Sequence, residues 1–138
     1  MLRNIEAKRK RTDADLSVLF IDFSSAYDRV DRRSLLQQLR VNRVLNDQQV
    51  SLLLYLWRQN STRLGNAECF TTNGVPQGGT TSPTLFNIFV EPLLKMLNRK
   101  NITAYFFADD LIIVGTQEEL QQAIATIMEW EGKQHGCE

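Results

Sequence analysis

Apolar positions along this 138-residue chain follow two rhythms, and the switches between them predict its elements. Residues 16–23 (Leu-Ser-Val-Leu-Phe-Ile-Asp-Phe) are almost continuously apolar and rich in β-formers. That run predicts a buried strand, interrupted by Asp22 near its end. Helical spacing then takes over. Leu35, Leu36 and Leu39 share one face of a segment over residues 34–40, and Val50, Leu53, Leu54 and Trp57 recur at helical intervals further on. Asn46 and Gln49, three residues apart, suit the capped start of that second helix. Residues 61–72 carry short β-like runs around Gly65-Asn66, which predicts a small hairpin. Residues 73–79 (Asn-Gly-Val-Pro-Gln-Gly-Gly) then read as a loop.

Ser82 and Pro83 suit the N-cap and first position of a third helix, with Phe86, Phe89, Val90, Leu93 and Leu97 as its apolar stripe. Pro92 inside it predicts a kink. Residues 102–107 and 111–114 read as strands joined by a turn at Ala108-Asp109-Asp110. Thr116 with Glu119 forms a capping box for a last helix carrying Leu120, Ala123, Ile127 and Trp130 on one side. This order predicts an α+β fold, an antiparallel sheet with helices on one face, in the split βαβ arrangement called ferredoxin-like but lacking its last strand. No repeat, low-complexity tract or linker divides the chain. Residues 1–15 are expected to be a basic arm or the broken end of something longer, and residues 16–138 a single domain.

Composition narrows the classes. With 43% hydrophobic and 23% charged residues the chain is an ordinary globular one. No run approaches the roughly 18 apolar residues that span a bilayer, and the start lacks the apolar core of a signal peptide, so an intracellular protein with no membrane partner is expected. Cys69, Cys137 and His135 are too few for a four-ligand zinc site. The net charge of zero hides an asymmetry: up to Arg63 there are 12 basic and 7 acidic residues, and after it 4 and 9. Arg3, Lys8, Arg9, Lys10, Arg11, Arg29, Arg32, Arg33, Arg40 and Arg43 would suit a phosphate backbone if they lined one groove, or a solvated surface if they do not.

The chemistry lies where polar residues interrupt apolar runs. Asp22 follows Val18-Leu19-Phe20-Ile21, where a carboxylate is costly unless a cation compensates it. Asp109 and Asp110 are adjacent at an expected hairpin tip, and adjacent carboxylates repel unless a hard divalent cation sits between them. If the first strand lies beside that hairpin, three carboxylates meet at one end of the sheet. That is the donor set of a two-metal phosphoryl-transfer site. The competing readings are a polar turn for Asp109-Asp110 and a strand-end cap or salt bridge for Asp22.

Three segments then carry a family resemblance. Residues 20–30 (Phe-Ile-Asp-Phe-Ser-Ser-Ala-Tyr-Asp-Arg-Val) resemble the first catalytic motif of reverse transcriptases. Residues 74–83 (Gly-Val-Pro-Gln-Gly-Gly-Thr-Thr-Ser-Pro) resemble the second, and residues 107–110 (Phe-Ala-Asp-Asp) the third. They occur in the family's order, and Ala108 with the Gly78-Gly79 pair is closest in style to group II intron and non-LTR retroelement enzymes. The resemblance implies a polymerase palm, truncated at both ends, with fingers and thumb largely absent. It implies RNA-directed DNA synthesis by attack of a primer 3′-hydroxyl on the α-phosphate of a deoxynucleoside triphosphate. The partners would be an RNA template, a DNA primer and the triphosphates, with the missing polymerase subdomains or self-association besides. Asp22, Asp109 and Asp110 would hold two Mg²⁺ ions, with Mn²⁺ as a substitute. Phe23, Tyr27, Gln77, Gly78 and Gly79 would contact the nucleotide, Tyr27 from beneath its sugar. A catalytically silent palm that only binds RNA or a partner is the alternative, and an RNA-dependent RNA polymerase a second one, disfavoured by the bulk of Tyr27.

Overall fold

In the computed structural model, residues 2–12, 15–23, 25–59, 61–64, 67–70 and 73–135 are described. They form five helices and two antiparallel sheets, an α+β fold. The chain divides into two units, one of Met1–Ser24 with Pro92–Glu138 and the other of Ser25–Glu91.

The first unit contains α1 (Leu2–Thr12), β1 (Ser17–Asp22), β4 (Thr103–Phe107), β5 (Asp110–Gly115) and α5 (Gln117–His135). Its sheet runs β1-β5-β4, with every neighbour antiparallel. Alternation along the central strand sends Leu111 and Ile113 to one face, where both are fully buried. Ala123, Ile127 and Trp130 of α5 are also buried, and Trp130 lies edge-on to Phe23 with ring centroids 6.5 Å apart. The capping box is present: Thr116 N–H donates to Glu119 Oε2 (2.9 Å), and Glu119 N–H donates to Thr116 Oγ1 (3.4 Å). Residues 116–119 thus fix where β5 ends and α5 begins.

One expectation for this unit needs correction. β1 is not a buried strand. Among the described residues it pairs with β5 and lies at an edge of the sheet, and its Val18, Phe20 and Asp22 side chains are exposed. Phe20 is 72% exposed. A continuous apolar run cannot distinguish a strand covered on both faces from one covered on a single face. Residues 2–12 form a helix, and Lys8 within it is buried. Lys8 Nζ donates to Thr103 Oγ1 and to the Val114 carbonyl, both at 3.2 Å, and pairs with Glu119 Oε2 at 3.0 Å. Burial pushes the Glu119 carboxyl up, but the Thr116 N–H and the Lys8 ammonium outweigh it and hold the group below its ordinary value. One of the ten cations of the basic excess therefore anchors α1 to the end of the sheet.

The second unit holds α2 (Arg32–Val41), α3 (Asp47–Gln59), the hairpin β2 (Ser61–Leu64) and β3 (Ala67–Phe70), and the start of α4 (Ser82–Arg99). Asp31 caps α2 by accepting from Ser34 N–H at 2.6 Å. Asn46 and Gln49 exchange reciprocal 2.9 Å bonds at the head of α3, as expected. The strands of the hairpin pair from Ser61↔Phe70 to Leu64↔Ala67, and the expected Gly65-Asn66 turn between them lies outside the described residues. Leu35, Leu39, Val50, Trp57, Phe86 and Phe89 are buried here. Pro92 does not interrupt α4, which runs on to Arg99. Ser82 opens α4, but its hydroxyl donates to the Pro76 carbonyl (2.5 Å) instead of serving as the expected cap.

Candidate active site

Asp22, Phe23, Asp109 and Asp110 belong to the first unit, where strand register decides their arrangement. β1 and β5 pair from Ser17↔Gly115 through Asp22↔Asp110, so these two carboxylates stand directly opposite each other at one end of the sheet. Cross-strand partners project to the same face. Phe107, opposite Asp110 on the other side, shares that face and is 78% exposed. Asp109 lies in the two-residue connection Ala108-Asp109, half-buried, and its carbonyl accepts the Phe23 N–H at 3.3 Å. Ala108 holds φ at +55°, a left-handed conformation that costs a residue with a Cβ about 1 kcal/mol or more. This tight turn keeps the Asp109-Asp110 backbone beside the end of β1.

Asp22 and Asp110 are exposed. Among the described residues no three His, Cys, Asp or Glu side chains are drawn together closely enough to hold a metal ion by themselves. The donors are nonetheless hard carboxylate oxygens, open to water and to ligand phosphates. That suits Mg²⁺, which keeps several waters and takes one or two carboxylates with substrate oxygens. Phe23 faces the other way. Its ring packs 5.7 Å from Phe106 and edge-on to Trp130, so it ties the end of β1 to β4 and α5.

Tyr27, Gln77, Gly78 and Gly79 belong to the second unit, where the loop of residues 74–79 docks on the turn of residues 25–30. Gly74 N–H donates to the Val30 carbonyl and Val75 N–H to the Tyr27 carbonyl, each at 2.8 Å. Gly74 has φ +85°, and a Cβ there would meet Asp28 Cα at 2.9 Å. Arg32 Nε donates to the Gly74 carbonyl at 2.7 Å, while its guanidinium lies 5.0 Å from the centre of the Trp57 ring. Burial lowers the Arg32 pKa, which leaves it charged at any ordinary pH. Tyr27 is half-buried, with its ring 5.2 Å from Phe86. Gln77 is exposed and donates from Nε2 to Asp28 Oδ2 at 2.8 Å.

The glycines divide by cause. Gly78 has φ +77°, and a Cβ added there would meet nothing within 4 Å, so its backbone borders open space. At Gly79 a Cβ would strike Ser82 Oγ at 2.7 Å, an internal reason for glycine. Gly74, Asp28 and Arg32 carry the docking, a role that sequence reasoning missed. Asp28 sits inside the first motif, and that position was the available signal.

A family model described as reverse transcriptase (RNA-dependent DNA polymerase) matches residues 2–138. The chain belongs to the reverse transcriptase family. A similar protein is the retrovirus-related Pol polyprotein from type-1 retrotransposable element R2 of Nasonia vitripennis, 29% identical over 81% of this chain. The chain spans 12% of that polyprotein's length. A retroelement relative agrees with the style of Ala108 and the Gly78-Gly79 pair. Reverse transcriptases as a family use divalent metal ions, RNA templates, primers and deoxynucleoside triphosphates. No helix among the described residues is long and apolar enough to cross a membrane.

Proposed function

We propose that this reverse transcriptase segment is a ferredoxin-like palm that carries the chemical centre of RNA-directed DNA synthesis. The observation that carries the reading is the β1–β5 register, which ends on Asp22↔Asp110 with Asp109 bonded through its carbonyl to Phe23. Asp22, Asp109 and Asp110 would hold the metal ions, Mg²⁺ or Mn²⁺. Bound there, two such ions would orient the primer hydroxyl and the triphosphate and neutralise charge developing at phosphorus. Phe23 sets the height of the hairpin tip beside Asp22. Tyr27 lies under the sugar, braced by Phe86, and Gln77, Gly78 and Gly79 offer an amide and bare backbone to the nucleotide.

Tyr27 distinguishes this reading from a polymerase that makes RNA. With the segment inside a polypeptide that also carries fingers and thumb, primer extension on an RNA template should incorporate deoxyribonucleotides in strong preference to ribonucleotides. Tyr27→Ala or Tyr27→Val should raise the ribonucleotide-to-deoxyribonucleotide ratio of kcat/KM by about tenfold or more, since a missing steric block changes discrimination on the scale of about 1–3 kcal/mol. An unchanged ratio would make Tyr27 a core aromatic partner of Phe86 and nothing else. No extension of any kind in that polypeptide would favour a silent palm.

A further inference from the structure

We infer that Asp28 is a positioning residue: it fixes the orientation of the Gln77 side-chain amide, and so decides which hydrogen-bonding group Gln77 offers to a bound nucleotide. The inference rests on the nucleotide-contact reading of Gln77 given above. Its ground is the Nε2 to Oδ2 bond of 2.8 Å, across 49 residues of sequence.

Backbone contacts bring the two residues together before their side chains meet. The bonds from Gly74 N–H to Val30 and from Val75 N–H to Tyr27 lock the loop to the turn that carries Asp28. The Gly74 position lies so near the Asp28 backbone that a Cβ would enter it, so the loop cannot come closer. Arg32 and Ser82 hold the carbonyls of Gly74 and Pro76, flanking the segment just before Gln77. Gly79 N–H also donates to the Pro76 carbonyl at 3.2 Å, across Gln77, so the Gln77 side chain leaves a held turn.

Asp28 then selects among the side-chain torsions of Gln77. A carboxylate only accepts, whereas an amide has a donating end and an accepting end. Facing Asp28, Gln77 must turn its NH₂ inward, which leaves Oε1 directed away as an acceptor. A charged acceptor makes a stronger bond than a neutral one, so the amide is held against a flip. Asparagine at position 28 has the same shape but can donate or accept, and would leave both orientations open. Asp28 thus contributes orientation rather than bulk. Both residues are exposed, so replacing Asp28 leaves the packed parts of the unit intact.

The test uses ¹⁵N-labelled 138-residue chain and follows the Gln77 side-chain NH₂ resonances by NMR. In the parent protein they should shift as pH falls through the ionisation of Asp28, and in Asp28→Asn that pH-dependence should vanish. Gln77→Glu adds a readout that a merely structural role would not move. It places two carboxyls in contact, so one of them should keep its proton to a higher pH than an isolated glutamate would. In the Asp28→Asn, Gln77→Glu double variant that shift should disappear. Identical Gln77 resonances and pH profiles in parent and Asp28→Asn would overturn the inference. Addition of dATP with Mg²⁺ separates the two layers. Perturbation of Gln77 at a nucleotide concentration about three to ten times lower in the parent than in Asp28→Asn is the expected result, the scale of one lost charge-assisted bond at an exposed site. If dATP leaves the Gln77 resonances unmoved in every variant while the pH-dependence is present, the contact stands and the nucleotide reading falls.

Discussion

Asp22→Asn and Asp109→Asn should each reduce Mg²⁺-dependent nucleotide addition by about a hundredfold to a thousandfold or more, in a polypeptide that supplies fingers and thumb. Each substitution keeps the shape of the side chain and removes its charge. Asp22 closes β1 opposite Asp110, and Asp109 sits in the turn whose carbonyl holds Phe23, so neither substitution should disturb the sheet. The loss should therefore fall on kcat, with the fold and the affinity for template largely unchanged. Asp110→Asn should also lose activity, since register makes Asp110 the cross-strand neighbour of Asp22. Synthesis within about tenfold of the parent for Asp22→Asn or Asp109→Asn would contradict the metal assignment.

The second large effect concerns stability. Gly74→Ala should destabilise the protein by about 2–4 kcal/mol, because two penalties combine at that position. The residue has φ +85°, and its Cβ would lie 2.9 Å from Asp28 Cα and 3.0 Å from the carbonyls of Asp28 and Tyr27. Those neighbours are backbone, and the bonds to Val30 and Tyr27 on either side prevent them from yielding. Gly78→Ala is the internal control. Its φ of +77° is similar, but its added methyl meets nothing within 4 Å. Only the conformational cost applies there, about 1–2 kcal/mol. Urea unfolding of the two variants should show Gly74→Ala to be clearly the worse. Equal losses would mean that the loop is not docked on the turn of residues 25–30.

The features read correctly were those whose cause is local. Asn46 with Gln49 and Thr116 with Glu119 are reciprocal caps encoded within four residues, and both form. The Phe107–Asp110 hairpin tip and the helical stripes are local in the same sense. Exposure is not local. Phe20 looked like core because nothing in a run of apolar residues tells how many faces of the strand are covered. Lys8 looked like one more solvated cation in a basic stretch, but Thr103, Val114 and Glu119, far along the chain, enclose it. The candidate site divides in the same way. Asp22, Asp109 and Asp110 stand out as polar interruptions of apolar strands. Gly74, Asp28 and Arg32 become legible only when residues 74–79 are laid against residues 25–32 in space.

The exposed apolar side of β1 has a consequence for partners. Val18, Phe20 and Phe107 are each at least half exposed on the face that carries Asp22 and Asp110. An exposed apolar surface of this kind is one that another protein surface commonly covers.

We propose that Asp22, Asp109 and Asp110 bind divalent metal at one end of the sheet, and Mn²⁺ titration of the ¹⁵N-labelled chain is the decisive check. Paramagnetic broadening reports proximity to the ion and needs no template, primer or additional domain. Because the carboxylates do not form a closed cage, binding should be weak and should strengthen when dATP supplies phosphate oxygens. The predicted result is selective broadening of the backbone amides of residues 21–23 and 108–111, lost in Asp109→Asn and displaced by excess Mg²⁺. Broadening spread evenly over acidic residues such as Glu118, Glu129 and Glu131, or unchanged in Asp109→Asn, would contradict it.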